Sequence, residues 1–88
     1  MTLTDHIRDA ALKAGCTPEI ILGPRRDRRT AHARQDAMAD AYATGRYSLP
    51  QIGRAFNRDH TTVLYAVRIV EQRRLAQDIA DVLMEVPA

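Results

Sequence analysis

The sequence predicts an all-α domain of five to six helices. Three observations carry that prediction. Fourteen of the 88 residues are alanine, β-branched runs are few, and no Asn-Gly or Asp-Gly hairpin signal occurs. Apolar residues also recur at three- and four-residue spacing from one end to the other. The length suits one small core, so residues 1–88 are read as a single domain. Hydrophobic residues at 45% and charged residues at 27% are ordinary for a globular chain and argue against disorder.

Each element has its own signal. Leu3, Ile7, Ala10, Ala11 and Ala14 form the first apolar stripe, and Gly15 stops it. Thr17-Pro18-Glu19 reads as a cap, a proline at the helix start and an acid on the dipole. The short helix through Ile20, Ile21 and Leu22 then ends at Gly23-Pro24. Arg25-Arg26-Asp27-Arg28-Arg29-Thr30 lacks apolar periodicity and reads as an exposed loop. A third helix is expected from about Ala31 to Thr44, with Ala37, Met38, Ala41 and Tyr42 inward. Ser48 and Gln51 form a capping box for a fourth helix with Leu49, Ile52, Ala55 and Phe56 on one side. Asp59 caps a longer helix with an inner stripe of Val63, Ala66, Val67 and Val70. The tail, about 75–86, repeats the pattern with Leu75, Ile79, Val82, Leu83 and Val86 on one face. It is expected mainly as core, with a partner-binding face as the other reading.

Charge is unevenly spread. Residues 1–24 sum to −1, residues 25–74 to +6 and residues 75–88 to −3. Lys13 is the sole lysine among thirteen basic residues. Arginine's planar fork suits phosphates and base edges better than lysine's point charge, so the basic middle points toward nucleic acid. No stretch approaches the roughly 18 apolar residues of a membrane span, and the start lacks a signal-peptide layout. Cys16 is alone and makes no internal disulfide, so a cytoplasmic location is expected.

Ser48–Phe56 and Asp59–Arg74, joined by a very short turn, have the proportions of a helix-turn-helix. The second helix opens Asp59-His60-Thr61-Thr62. Asp59 can accept from a cytosine amino group, and His60 can bond a purine or a phosphate. Thr61 and Thr62 each offer a hydroxyl and a methyl. Two readings stand on these residues alone: a base-reading helix end, or a well-capped helix with a polar first turn.

Ser48-Leu49-Pro50-Gln51-Ile52-Gly53-Arg54-Ala55-Phe56, followed by Arg58-Asp59-His60-Thr61-Thr62-Val63-Leu64, closely resembles the C-terminal, box-binding domain of the bacterial replication initiator DnaA. The resemblance covers about residues 4–74. It implies a DnaA/Trp-repressor-like helix-turn-helix fold that binds double-stranded DNA. It also implies roles. Arg26 enters the minor groove beside the site, where narrow A·T-rich DNA has strong negative potential. Asp59, His60 and Thr61 read major-groove bases, and Thr62 meets a thymine methyl. Arg34 and Gln35, placed in the first turn of the third helix, contact phosphate, and Arg25, Arg28, Arg29 and Arg58 act as phosphate clamps.

The chain departs from that pattern in three places. Asn57 stands where the family usually has two glycines, and its tolerance of left-handed backbone lets the turn close. The missing residue is expected to rotate the recognition helix and alter the preferred site. Asp36 and Ile69 replace residues that are more often apolar and basic. No Gly-x-x-x-x-Gly-Lys-Ser/Thr phosphate loop occurs.

Other sites carry less. His6, His32, His60 and Cys16 lack metal-ligand spacing, and no nucleophile has a recognisable base, so neither metal, cofactor nor catalysis is expected. Tyr42, Tyr47 and Tyr65 read as core-edge residues, and Arg73 and Arg74 as complements of a helix C-terminal dipole. The expected function is regulation of chromosomal replication initiation through DnaA-box-like sites, without ATPase activity, by a monomer on DNA. A transcription regulator with its own operator, or an adaptor of the initiator using the tail, are the alternatives.

Overall fold

A computed structural model describes residues 1–85. Among them the chain forms five helices: α1 (Leu3–Ala14), α2 (Pro18–Leu22), α3 (Arg28–Ala43), α4 (Leu49–Phe56) and α5 (His60–Glu85). Val86 of the expected tail stripe lies outside the described residues.

α1 starts at a capping box that sequence reasoning overlooked. Thr2 N–H donates to Asp5 Oδ2 at 2.8 Å, and Asp5 N–H donates back to Thr2 Oγ1 at 3.2 Å. Gly15 ends the helix at φ 69°, ψ 35°, a left-handed cap that glycine adopts without a Cβ penalty. Ile7, Ala10, Ala11 and Ala14 are buried, as the stripe predicts, and so is His6. Thr17 caps α2 by position only; its side chain makes no capping bond.

α3 forms the middle of the bundle, with α1 and α5 as its main neighbours. That position explains its alanines. Ala33, Ala37, Ala39 and Ala41 are all buried, and small side chains let helices approach from two sides. Two expectations need correction here. Tyr42 does not face inward; it is 41% exposed. α3 also begins at Arg28, three residues before the expected start, because Asp27 is its cap. Asp27 Oδ2 accepts from Thr30 N–H at 3.1 Å and Thr30 Oγ1 at 3.0 Å. The loop is shorter, and Arg28 and Arg29 sit in the helix's first turn.

Phe56, Ile21, Met38, Ile52, Val63 and Val70 are the largest fully buried side chains, and they draw on α2, α3, α4 and α5. α5 departs most from expectation. It runs unbroken for 26 residues, about 39 Å at 1.5 Å per residue, because no glycine or proline interrupts it. The tail is therefore neither a separate helix nor part of the core: Leu75, Ile79, Val82 and Leu83 are each more than half exposed. Nor do Arg73 and Arg74 complement a helix end. Arg73 Nη2 donates to Gln35 Oε1 and Asp36 Oδ1, both at 3.2 Å, and Arg74 Nη2 to Asp40 Oδ1 at 2.9 Å, tying α5 to α3.

Candidate nucleic-acid interface

The turn between α4 and α5 is built from local bonds. Ser48 N–H donates to Gln51 Oε1 at 2.8 Å and Gln51 N–H to Ser48 Oγ at 3.3 Å, which starts α4 with the expected box. Asn57 ends α4 at φ 56°, ψ 45°, the left-handed conformation the short turn requires. Arg58 N–H then donates to Gly53 carbonyl at 2.7 Å. Gly53 permits this closure. A Cβ there would lie 2.5 Å from the Arg58 carbonyl oxygen and 3.3 Å from the His60 nitrogen.

Asp59 and the first three residues of α5, His60, Thr61 and Thr62, are polar and exposed. Asp59 Oδ1 accepts from Thr61 N–H at 3.2 Å and lies 3.0 Å from His60 Nδ1, while its carbonyl accepts from Thr62 and Val63. The Thr61 backbone N–H is the main cause that holds the Asp59 carboxyl below its ordinary value, with His60 adding to it. Cap and base reader are compatible roles for Asp59: both contacts fall on one oxygen, and the side chain is 65% exposed.

The basic loop lies next to this helix end. Arg26 and Thr62 line one cleft of about 500 Å³, together with Leu22, Gly23, Pro24, Arg34, Asn57 and Arg58. The fold thus brings together a loop arginine and a threonine that are 36 positions apart. Arg25 is exposed, its Nε 2.7 Å from Asp27 Oδ1. Arg28 and Arg29 are exposed in the first turn of α3, where the helix dipole already favours an anion and disfavours a cation. Beside the Asp27 carboxylate, these two exposed guanidinium groups are free in direction to donate to a phosphate.

Arg34 and Arg58 have a use that sequence reasoning missed. Arg34 lies in the second turn of α3, not the first, and is 6% exposed. Its Nε donates to Ile21 carbonyl at 2.7 Å, and its Nη2 to Arg25 carbonyl at 3.0 Å and Gly23 carbonyl at 3.5 Å. Arg58 Nη2 donates to Gly23 carbonyl at 2.6 Å. Its Nη1 donates to the carbonyls of Asn57, Phe56 and Leu22 at 3.1, 3.2 and 3.3 Å. Burial lowers both guanidinium pKa values, with Arg58 adding to the effect on Arg34 and Arg26 to that on Arg58. The available signal was the brevity of α2, since a five-residue helix leaves its last carbonyls without partners. Gln35 is half-buried and accepts from Arg73.

Among the described residues no helix is long and apolar enough to cross a membrane. Nor do three or more His, Cys, Asp or Glu side chains among them gather where they could hold a metal ion.

Comparison with known proteins supplies an independent finding. Residues 7–70 match the family model described as the bacterial dnaA protein helix-turn-helix. The chromosomal replication initiator protein DnaA of Deinococcus radiodurans is 44% identical over 71 residues. The aligned stretch is 80% of this chain and 15% of that relative, so the chain spans a small fraction of the relative's length.

Proposed function

The chain belongs to the bacterial DnaA helix-turn-helix family, and we propose that it binds double-stranded DNA with sequence preference, at sites akin to DnaA boxes. On this reading it regulates the initiation of chromosomal replication by occupying such sites, with no ATPase chemistry of its own. One observation carries the proposal: the Arg26 loop and the first turn of α5 line a single cleft. A loop entering the minor groove and a helix entering the adjacent major groove must lie side by side, because one phosphate strand separates the two grooves.

The roles follow from the chemistry of each group. Asp59 accepts from an exposed amino group in the major groove. His60, whose Nδ1 lies 3.0 Å from Asp59 Oδ1, presents its imidazole beside that carboxylate to a purine or a phosphate. Thr61 supplies a hydroxyl, and the Thr62 methyl meets a thymine methyl. Arg26 enters the minor groove. Arg25, Arg28 and Arg29 hold phosphates, so affinity falls steeply with salt. Gln35 accepts from Arg73 through Oε1, which leaves its Nε2 to donate to a phosphate. The exposed tail favours one further reading, an adaptor that binds protein through Leu75, Ile79 and Val82.

Selection from a random duplex pool tests the proposal. A recovered consensus is expected, with replacement of both His60 and Thr61 by alanine abolishing preference at one or two of its positions. Each lost base contact should cost roughly 1–3 kcal/mol. Recovery of no consensus, with equally weak binding to all duplexes, would leave the adaptor reading in possession.

A further inference from the structure

We propose that Arg58, assisted by Arg34, is a positioning residue that sets the Arg26 loop against the first turn of α5. It acts through backbone carbonyls and not through a phosphate. The inference rests on the DNA-binding reading above and extends it to how the two reading elements are held in register.

The carbonyl end of α2 is the starting point. α2 has five residues, so its last carbonyls find no acceptable donor within the helix. Gly23 follows in extended backbone and leads directly into Pro24, Arg25 and Arg26. The carbonyls of Ile21, Leu22, Gly23 and Arg25 all accept from Arg34 or Arg58. Gly23 N–H closes only the Ile20 carbonyl, at 3.3 Å, and the carbonyls beyond it are met by guanidinium groups from α3 and from the α4–α5 turn.

Arg58 is suited to this by its shape. It reaches the end of α2 at Leu22 and Gly23 while also holding the end of α4 at Phe56 and Asn57. Its own backbone leads directly into Asp59 and the base-reading turn. One planar fork therefore joins the element before the loop arginine to the element before the recognition helix. Lysine has the same charge but a single nitrogen, and it cannot hold carbonyls on two elements in fixed directions.

Arg26 itself is bracketed by these contacts. Arg34 holds the carbonyl of the preceding residue at 3.0 Å, and the following residue, Asp27, is fixed as the cap of α3. The loop therefore has little freedom except in the Arg26 side chain. Loss of the Arg58 contacts frees the Gly23 and Leu22 side of that bracket and lets Arg26 drift from the groove that Thr62 adjoins.

The test compares wild type, Arg58→Lys, Arg26→Ala and the double variant. Binding is measured on the selected duplex and on one changed only in the A·T-rich flank, across a salt series. Positioning predicts that Arg58→Lys loses flank discrimination of order tenfold, as Arg26→Ala does, and that the double variant loses no more than either. Discrimination at the bases read by His60 and Thr61 is expected to survive. Arg58→Lys binding like wild type, or losses that multiply in the double variant, would overturn the proposal in favour of a simple phosphate clamp. A readout on the free protein separates this failure from failure of the DNA reading. Backbone NMR order parameters of Arg25 and Arg26 should fall in Arg58→Lys while those of Thr61–Val63 hold. Unchanged values at Arg25 and Arg26 would overturn it without reference to DNA. Arg34→Lys, run in parallel, carries the same expectation should Arg58→Lys not fold.

Discussion

The two halves of α5 each carry an apolar stripe of helical period, in opposite surroundings. Val63, Ala66, Val67 and Val70 are 0%, 1%, 5% and 1% exposed. Leu75, Ile79, Val82 and Leu83, on the same unbroken helix, are 61%, 53%, 60% and 69% exposed. Periodicity identifies residues that share a face. Whether another element covers that face depends on the rest of the chain. α3 and α4 both pack on α5, the buried residues of α5 all lie in its first half, and α3 is bonded to Arg73 and Arg74 at the end of that half.

Substitution of matched valines gives the largest expected contrast. Val63→Asp puts an unpaired carboxylate in the core and should cost more than about 4 kcal/mol, a large part of the stability of so small a domain. Val82→Asp should change stability by less than about 0.5 kcal/mol. Urea denaturation followed by circular dichroism measures both, and a Val82→Asp loss comparable to that of Val63→Asp would break the comparison.

A smaller effect sharpens the account of the packed half. Gly53→Ala places a methyl 2.5 Å from the Arg58 carbonyl oxygen, and backbone can yield only by moving the turn. A loss of about 1–3 kcal/mol is expected, together with reduced DNA discrimination because the start of α5 shifts. Equilibrium unfolding and the same duplex comparison read the two effects separately.

The smallest effect is electrostatic and concerns the first turn. Backbone donation from Thr61 lowers the Asp59 carboxyl below its ordinary 3.8, and donation from Thr30 lowers Asp27 in the same way. Because the folded values lie below the unfolded ones, these caps contribute fully above the ordinary carboxyl range. The contribution fades as pH falls through the folded values. The melting temperature is thus expected to hold from neutral pH to about 5 and to fall below about 4. Asp59→Asn keeps an acceptor but removes the titration, so its acid decline should be shallower than that of wild type in a pH series of thermal melts.

Much of the site was legible because it is local. The Ser48–Gln51 box, the left-handed Asn57 and the Asp59 cap each involve residues within four positions, and all appear where the spacing put them. The α3 start was misplaced although Asp27 and Thr30 are also local, because a run of arginines without apolar periodicity reads as loop. Arg34 and Arg58 were illegible as structural residues. Their acceptors lie 9 to 13 and up to 36 positions away, and composition marks an arginine only as a charge.

The order of residues alone determined the helical class, the capped boundaries and the inward stripes of α1, α4 and the first half of α5. Those features come from backbone geometry and interactions within one or two turns. Tertiary structure decided which arginines face solvent and which close a helix end. It also decided that Arg26 lies beside Thr62 and that the second apolar stripe of α5 stays uncovered. These outcomes depend on which surfaces meet when separate helices pack, and no repeat along a single helix encodes that.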